Sequence, residues 1–210
     1  MEQKHQVHNL IILDESGSMA GIKHTIMQGF NEIVQTVQGV AKEYPEQEHF
    51  ISLISFNGLG NKILHFIDPV TKLEEINAER YNPNASTPLF DAIGFGVGKL
   101  RQALTGVPEH NVLVTILTDG EENASKEYSG AAIRKLIEEL QQQRWTFTYI
   151  GTDHDVQKVA TSISITNTIQ FSKNQADMQR MFEREKLGRL NYSRKIRNKE
   201  QTATGHYDEE

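Results

Sequence analysis

The run Leu10-Ile11-Ile12-Leu13 is continuously apolar and stops at a carboxylate, Asp14, after which hydroxyls follow at alternate positions, Ser16 and Ser18. A short, unbroken apolar run of this kind reads as a strand covered on both faces, the kind found inside a layered α/β sheet. Its abrupt end leaves three hard oxygen donors where a strand meets a helix, a set suited to a small hard cation. Two distant segments add to the set. Ser86-Thr87-Pro88-Leu89-Phe90-Asp91 offers a hydroxyl just ahead of a helix, and Leu117-Thr118-Asp119-Gly120-Glu121-Glu122-Asn123 offers a carboxylate at the end of another apolar strand.

Strands and helices alternate along the chain. Residues 7–13 form the first strand, and 19–42 a helix in which Ile22, Ile26, Phe30, Ile33, Val34, Val37 and Val40 recur at helical spacing. Strands at 50–56 and 62–67 are joined only by the glycine-containing Asn57-Gly58-Leu59-Gly60-Asn61. That link is too short for a parallel crossover, so the pair is expected to be an antiparallel hairpin. A short helix at 71–76 comes before an irregular loop. Thr87 reads as the N-cap of a helix opening at Pro88 and running toward 104. Beyond it come a strand at 111–118, a helix at 129–142, a strand at 145–151, a short helix at 156–162 and a strand at 165–171. Ser172-Lys173-Asn174-Gln175 then reads as a capping box opening a helix to about 187. The pattern predicts an α/β fold: a doubly wound, Rossmann-like, mostly parallel sheet of about six strands with one antiparallel edge strand and helices on both faces.

Gly188 interrupts the last helical pattern, and the polar residues 201–210 offer little to bury. The expected division is one domain over 1–190 and a polar C-terminal tail over 191–210, disordered beyond about 195. A chain of this length buries about 70% of the surface its unfolded form exposes, so size alone demands neither disulfide nor structural metal. Cysteine is absent, the first residues lack the apolar stretch of a secretory signal, and no apolar run approaches the ~18 residues of a membrane span. A soluble cytoplasmic protein is expected. The net charge of −6 is uneven: residues 180–199 hold eight Lys/Arg against two Glu, +6, which leaves −12 for the remainder.

Asp14-x-Ser16-x-Ser18, then Thr87, then Asp119 resembles, in order and placement, the metal-ion-dependent adhesion site of von Willebrand factor type A domains. The flanking Thr87-Pro88-Leu89-Phe90-Asp91-Ala92-Ile93 and Thr118-Asp119-Gly120-Glu121-Glu122-Asn123 look like stand-alone bacterial members. The similarity covers roughly residues 7–187. Asn84-Ala85-Ser86 departs from it, standing where many relatives carry glycines. The resemblance implies that Ser16, Ser18 and Thr87 ligate a divalent ion directly in a ligand-bound state, with Asp14 and Asp119 acting mainly through water. It also implies a non-enzymatic adaptor whose protein partner offers an Asp or Glu to the ion. Ligand hardness makes Mg2+ the default ion and Mn2+ the alternative, and the lack of His or Cys donors argues against Zn2+.

Taken singly, each residue has a plainer account. Asp14, Ser16 or Ser18 could cap the following helix, Thr87 is an ordinary N-cap, and Asp119-Gly120 an ordinary turn. The joint occurrence at strand ends favours the metal site. Gly17 would supply the freedom to curl Ser16 and Ser18 toward one centre. Glu15, Asp91, Glu121 and Glu122 read as rim charges or local hydrogen-bonding groups. The eight His residues show no ligand spacing, and only His154 lies near the strand-end face. Gly94-Phe95-Gly96-Val97-Gly98 falls inside a helix, where close packing on the sheet explains it better than nucleotide binding. The first alternative function is a Mg2+-dependent phosphohydrolase or phosphoryl-transfer enzyme, which lacks an obvious nucleophile and base here. The second is nucleic-acid contact through the basic 180–199 segment, where the only aromatic other than Phe182 is Tyr192.

Overall fold

The computed structural model describes residues 4–153 and 155–207. In chain order the strands and helices are β1 (His5–Asp14), α1 (Lys23–Glu43), β2 (Gln47–Asn57), β3 (Gly60–Pro69), α2 (Leu89–Ala103), β4 (His110–Thr118), α3 (Gly130–Gln141), β5 (Trp145–Gly151), α4 (Val156–Ser162), β6 (Asn167–Gln170) and α5 (Gln175–Arg197). The six strands form one sheet in the order β3-β2-β1-β4-β5-β6. All neighbours are parallel except β2 and β3, which pair antiparallel as the short link requires. Strand order reverses between β1 and β4, so the crevice beyond their carboxyl ends is the topological switch point of the sheet.

Alternation along β1 divides the core. Leu10 and Ile12 join Ile93 and Val97 of α2, Ile133 and Ile137 of α3, and Phe147 of β5 in one layer. Ile11 and Leu13 join Ile26, Phe30 and Ile33 of α1 and Met178, Met181 and Phe182 of α5 in the other. Gly96 sits on the sheet, where an added Cβ would lie 3.1 Å from Ile54 Cδ1, and Gly94 makes room for the Tyr128 ring, so packing accounts for these two glycines of α2 but not for Gly98, which has open space.

Several boundaries differ from expectation. The first helix opens as a tighter 3-10 turn over Gly17–Ile22, and the segment expected at 71–76 is a single 3-10 turn, Val70–Lys72. At α5 the cap is Asn174, which accepts from Asp177 N, while Asp177 reciprocates by accepting from Ser172 N.

The C-terminal part differs most. The expected helix end near 187 and disordered tail over 191–210 are not what the described residues show: α5 continues through Gly188 to Arg197, and 198–207 fold back against the sheet. Thr146 Oγ1 donates to Thr202 O, Asn167 Nδ2 to Ala203 O, and His206 N to Asn167 Oδ1. Tyr207 OH donates to Glu185 Oε2 at 2.6 Å. Glu185 and Arg189, both buried in α5, pair at 2.8 Å, and Arg189 also reaches Asn9 and Thr115. The sheet carries buried polar side chains here, Asn9, Thr115, Thr146, Thr148 and Asn167. A polar segment is therefore the right cover, because buried polar groups need partners. Among the described residues, no helix is long and apolar enough to cross a membrane.

Candidate metal centre

Asp14 ends β1 and is fully buried. Its Oδ1 accepts from Ser16 N at 2.7 Å and its Oδ2 from Thr118 Oγ1 at 2.6 Å. Burial pushes its carboxyl pKa up, against the lowering pull of those hydrogen bonds, and the nearby charge of Asp119 adds to the rise. A carboxylate held so far from water is a site that gains from a positive charge. Thr118, whose hydroxyl fixes Asp14 from β4, was not singled out in the sequence, where it reads as one more strand residue.

The two serines project from the turn after Asp14. Ser16 Oγ and Ser18 Oγ are 3.1 Å apart, and Ser18 Oγ donates to Asp119 Oδ1 at 2.6 Å. Ser16 is buried and Ser18 exposed, so the pair runs from the floor of the crevice to its mouth. Gly17 keeps an ordinary backbone conformation, contrary to the freedom expected of it; its N–H donates to Ala85 O at 2.9 Å. Asn84 N in turn donates to Glu15 O, so two backbone bonds tie the serine turn to the loop that carries Thr87. Ala85 adopts φ 65°, the left-handed region, at a position within the stretch where the resemblance calls for glycine.

Thr87 is buried, and it is not the N-cap of α2. That helix starts at Leu89, with Pro88 at the cap position and no side-chain capping bond. Its first amides are met from outside: Phe90 N donates to Glu122 Oε2, and Asp91 N to Ser125 Oγ. Thr87 N donates to Asn123 Oδ1, and with Phe90 N and Asp91 N met by Glu122 and Ser125 the Thr87 hydroxyl has no capping role. A Cβ added to Gly120 would lie 3.3 Å from Thr87 Oγ1 and 3.8 Å from Ser18 Oγ, so both hydroxyls border the small space this glycine leaves open.

All five sequence candidates, Asp14, Ser16, Ser18, Thr87 and Asp119, thus stand together at the carboxyl ends of β1 and β4. Hydroxyl and carboxylate oxygens make up the set, a composition that fits Mg2+ or Mn2+ and not a soft metal. Among the described residues no cluster of three or more His, Cys, Asp or Glu could hold a metal, so a site here would depend on the hydroxyls.

Of the acidic neighbours, Glu15 is no rim charge. It is fully buried and accepts from Ser55 Oγ, Lys62 Nζ and Asn82 N. Glu122 and Asp91 bind backbone amides of the 124–128 loop. His154 lies outside the described residues. Lys173, which the sequence did not mark, places Nζ 2.7 Å from Asp119 Oδ2 and 2.6 Å from Asp153 Oδ2. The basic 180–199 segment is largely committed internally, Arg180 to Asp177, Arg189 to Glu185, Arg197 to Glu46, and Lys195 to Gly205 O.

The family model described as von Willebrand factor type A domain matches residues 10–184. No curated protein matches at a significant level. Among solved structures, a von Willebrand factor type A protein from Catenulispora acidiphila is 16% identical with a TM-score of 0.55, over 89% of this chain and 43% of that one. Proximal thread matrix protein 1 of the mussel byssus is 13% identical with a TM-score of 0.59, over 86% and 45%. The SpRpn10 VWA domain is 9% identical with a TM-score of 0.55, over 87% and 95%. The chain spans less than half the length of the first two, and at these identities the likeness is one of fold.

Proposed function

The chain belongs to the von Willebrand factor type A domain family, and from that premise we propose that it is a Mg2+-dependent protein-binding module of the adaptor kind, engaging an Asp or Glu of its partner. The observation that carries this reading is the convergence of the Ser16, Ser18 and Thr87 hydroxyls with the Asp14 and Asp119 carboxylates at one switch-point crevice. Those five residues would hold the ion. Bound there, Mg2+ would supply a Lewis-acidic centre only partly neutralised by its protein ligands, with affinity for an incoming carboxylate.

Each residue has its share. Ser16 and Ser18 supply neutral donors from one turn, Asp14 supplies charge at the floor, and Asp119 positions Ser18 by accepting a hydrogen bond from its hydroxyl. Thr118 and Ser16 N orient Asp14. On this reading the module is non-catalytic and works in the cytoplasm; Mn2+ is the substitute ion.

The test is calorimetric titration of Mg2+ into the wild type and Asp14→Ala, with capture of partners from the native host with and without EDTA. Ion binding lost in Asp14→Ala, with release of a partner by EDTA, is the expected result. Mg2+-dependent phosphatase turnover lost with the same substitution would overturn the non-catalytic reading, and a complex indifferent to EDTA would overturn the bridging one.

A further inference from the structure

Three neighbouring strand ends bring Asp119, Asp153 and Lys173 together. Asp119 follows β4, Asp153 follows β5 and Lys173 follows β6, and the lysine reaches back across the end of β5. Both oxygens of Asp119 are thereby engaged, Oδ1 by the Ser18 hydroxyl and Oδ2 by the Lys173 ammonium. The Asp119 side chain is fully buried, whereas that of Asp153 is 53% exposed. Asp153 adopts φ 61°, a left-handed conformation that Asp tolerates better than most residues.

We propose that Lys173 is a resident counter-cation of the metal site, which a divalent ion must displace from Asp119, and that Asp153 holds the displaced ammonium. The proposal rests on the metal reading above. Its reasoning is one of charge. Asp14 and Asp119 are the two carboxylates of the crevice, and Lys173 already neutralises one of them. The Lys173 ammonium stands between two carboxylates, 2.7 Å from Asp119 Oδ2 and 2.6 Å from Asp153 Oδ2. An incoming ion therefore competes with a cation built into the protein. Because the lysine is long and already 2.6 Å from Asp153, it gives up Asp119 without losing its last ion pair. Lys173 thus sets ion affinity as a positioning residue without touching the partner.

The experiment is calorimetric titration of Mn2+ at neutral pH into the wild type, Lys173→Met, Lys173→Gln, Asp153→Asn, the Lys173→Met/Asp153→Asn double variant and Asp14→Ala, with circular dichroism as the folding check. Removing the ammonium should tighten Mn2+ binding about tenfold in both lysine variants. Asp153→Asn should weaken it, since the lysine then rests on Asp119 alone. In the lysine-free background the same change should have little effect, which is the coupling a purely structural role would not produce. Unchanged or weaker binding in both lysine variants, with wild-type binding still lost in Asp14→Ala, would overturn this proposal and leave the metal site standing. Absence of Mn2+ binding in every variant would overturn both.

Discussion

Gly188 lies directly beneath the imidazole of His206: a Cβ at 188 would come within 2.7 Å of His206 Nε2 and 3.1 Å of its carbonyl oxygen. The glycine that interrupts the helical pattern is therefore a clearance for the returning chain. Helix α5 passes through it unbroken, and the C-terminal segment lies on top.

Deleting 200–210 should destabilise the protein by about 3 kcal/mol or more, because Thr146, Asn167 and Glu185 would lose partners at buried positions. Gly188→Ala should reverse its sign between the two backgrounds. In the full chain it should cost about 1–3 kcal/mol through overpacking. In the shortened chain, where nothing covers it, it should gain about 1 kcal/mol from helix propensity. Urea denaturation of the four proteins measures both effects.

Asp14→Asn should trade ion binding for metal-free stability. Burial raises the Asp14 pKa, so without an ion its charged form is disfavoured, and a neutral amide of the same shape relieves that penalty. In EDTA the variant should melt above the wild type. Mg2+ at about a hundredfold over its dissociation constant should stabilise the wild type by about 2.7 kcal/mol and leave the variant unmoved. Thermal melts with and without the ion decide it.

Thr87→Ala and Asp119→Ala should differ in kind. Losing the neutral Thr87 hydroxyl should weaken partner binding more than bare Mg2+ binding, whereas losing the Asp119 charge should impair both. Equal factors for metal and partner in Thr87→Ala, read by calorimetry, would argue against a separate ligand-engaged coordination.

Ala85→Gly should stabilise the protein by about 0.5 kcal/mol, since glycine takes φ 65° without the penalty alanine bears there, less the greater freedom it gains on unfolding. Mg2+ affinity should stay constant, because the Gly17–Ala85 bond uses backbone atoms alone. Chemical denaturation and ion titration test the two halves.

Acid should unfold the protein through buried histidines. Burial, with help from nearby positive groups, depresses His8, His49 and His206 to about 4 each. Unfolded histidine titrates near 6.5, so between these values the unfolded chain binds more protons and stability falls as pH falls. The slope should be about 1 kcal/mol per pH unit for each histidine, levelling off below about 4. His206→Gln should make the denaturation midpoint measured from pH 7 to 4.5 shallower.

The alternation of apolar strands with amphipathic helices made the sheet legible, because period and run length are local properties. The hairpin was legible for the same reason, its link being too short for anything else. Asp14, Ser16 and Ser18 were legible because one turn carries all three. Lys173 and Thr118 were not, since their significance lies in Asp119 and Asp14, far off in the chain. The C-terminal segment was misleading because its polarity matches a polar sheet face, and from composition alone that is indistinguishable from a preference for water. Thr87 lost its capping role to Glu122 and Ser125, a substitution made by a loop that only the fold brings near.

The paired backbone bonds Gly17–Ala85 and Asn84–Glu15 gear the two ligand-bearing loops together. A displacement of the serine turn must carry residues 84 and 85 with it, or break bonds worth about 1 kcal/mol each. Thr87 and Pro88 follow after Ser86, and α2 begins at Leu89. A tug on the serine turn is thus passed through backbone bonds toward the first turn of a helix packed on the sheet, and the two loops answer it as one piece.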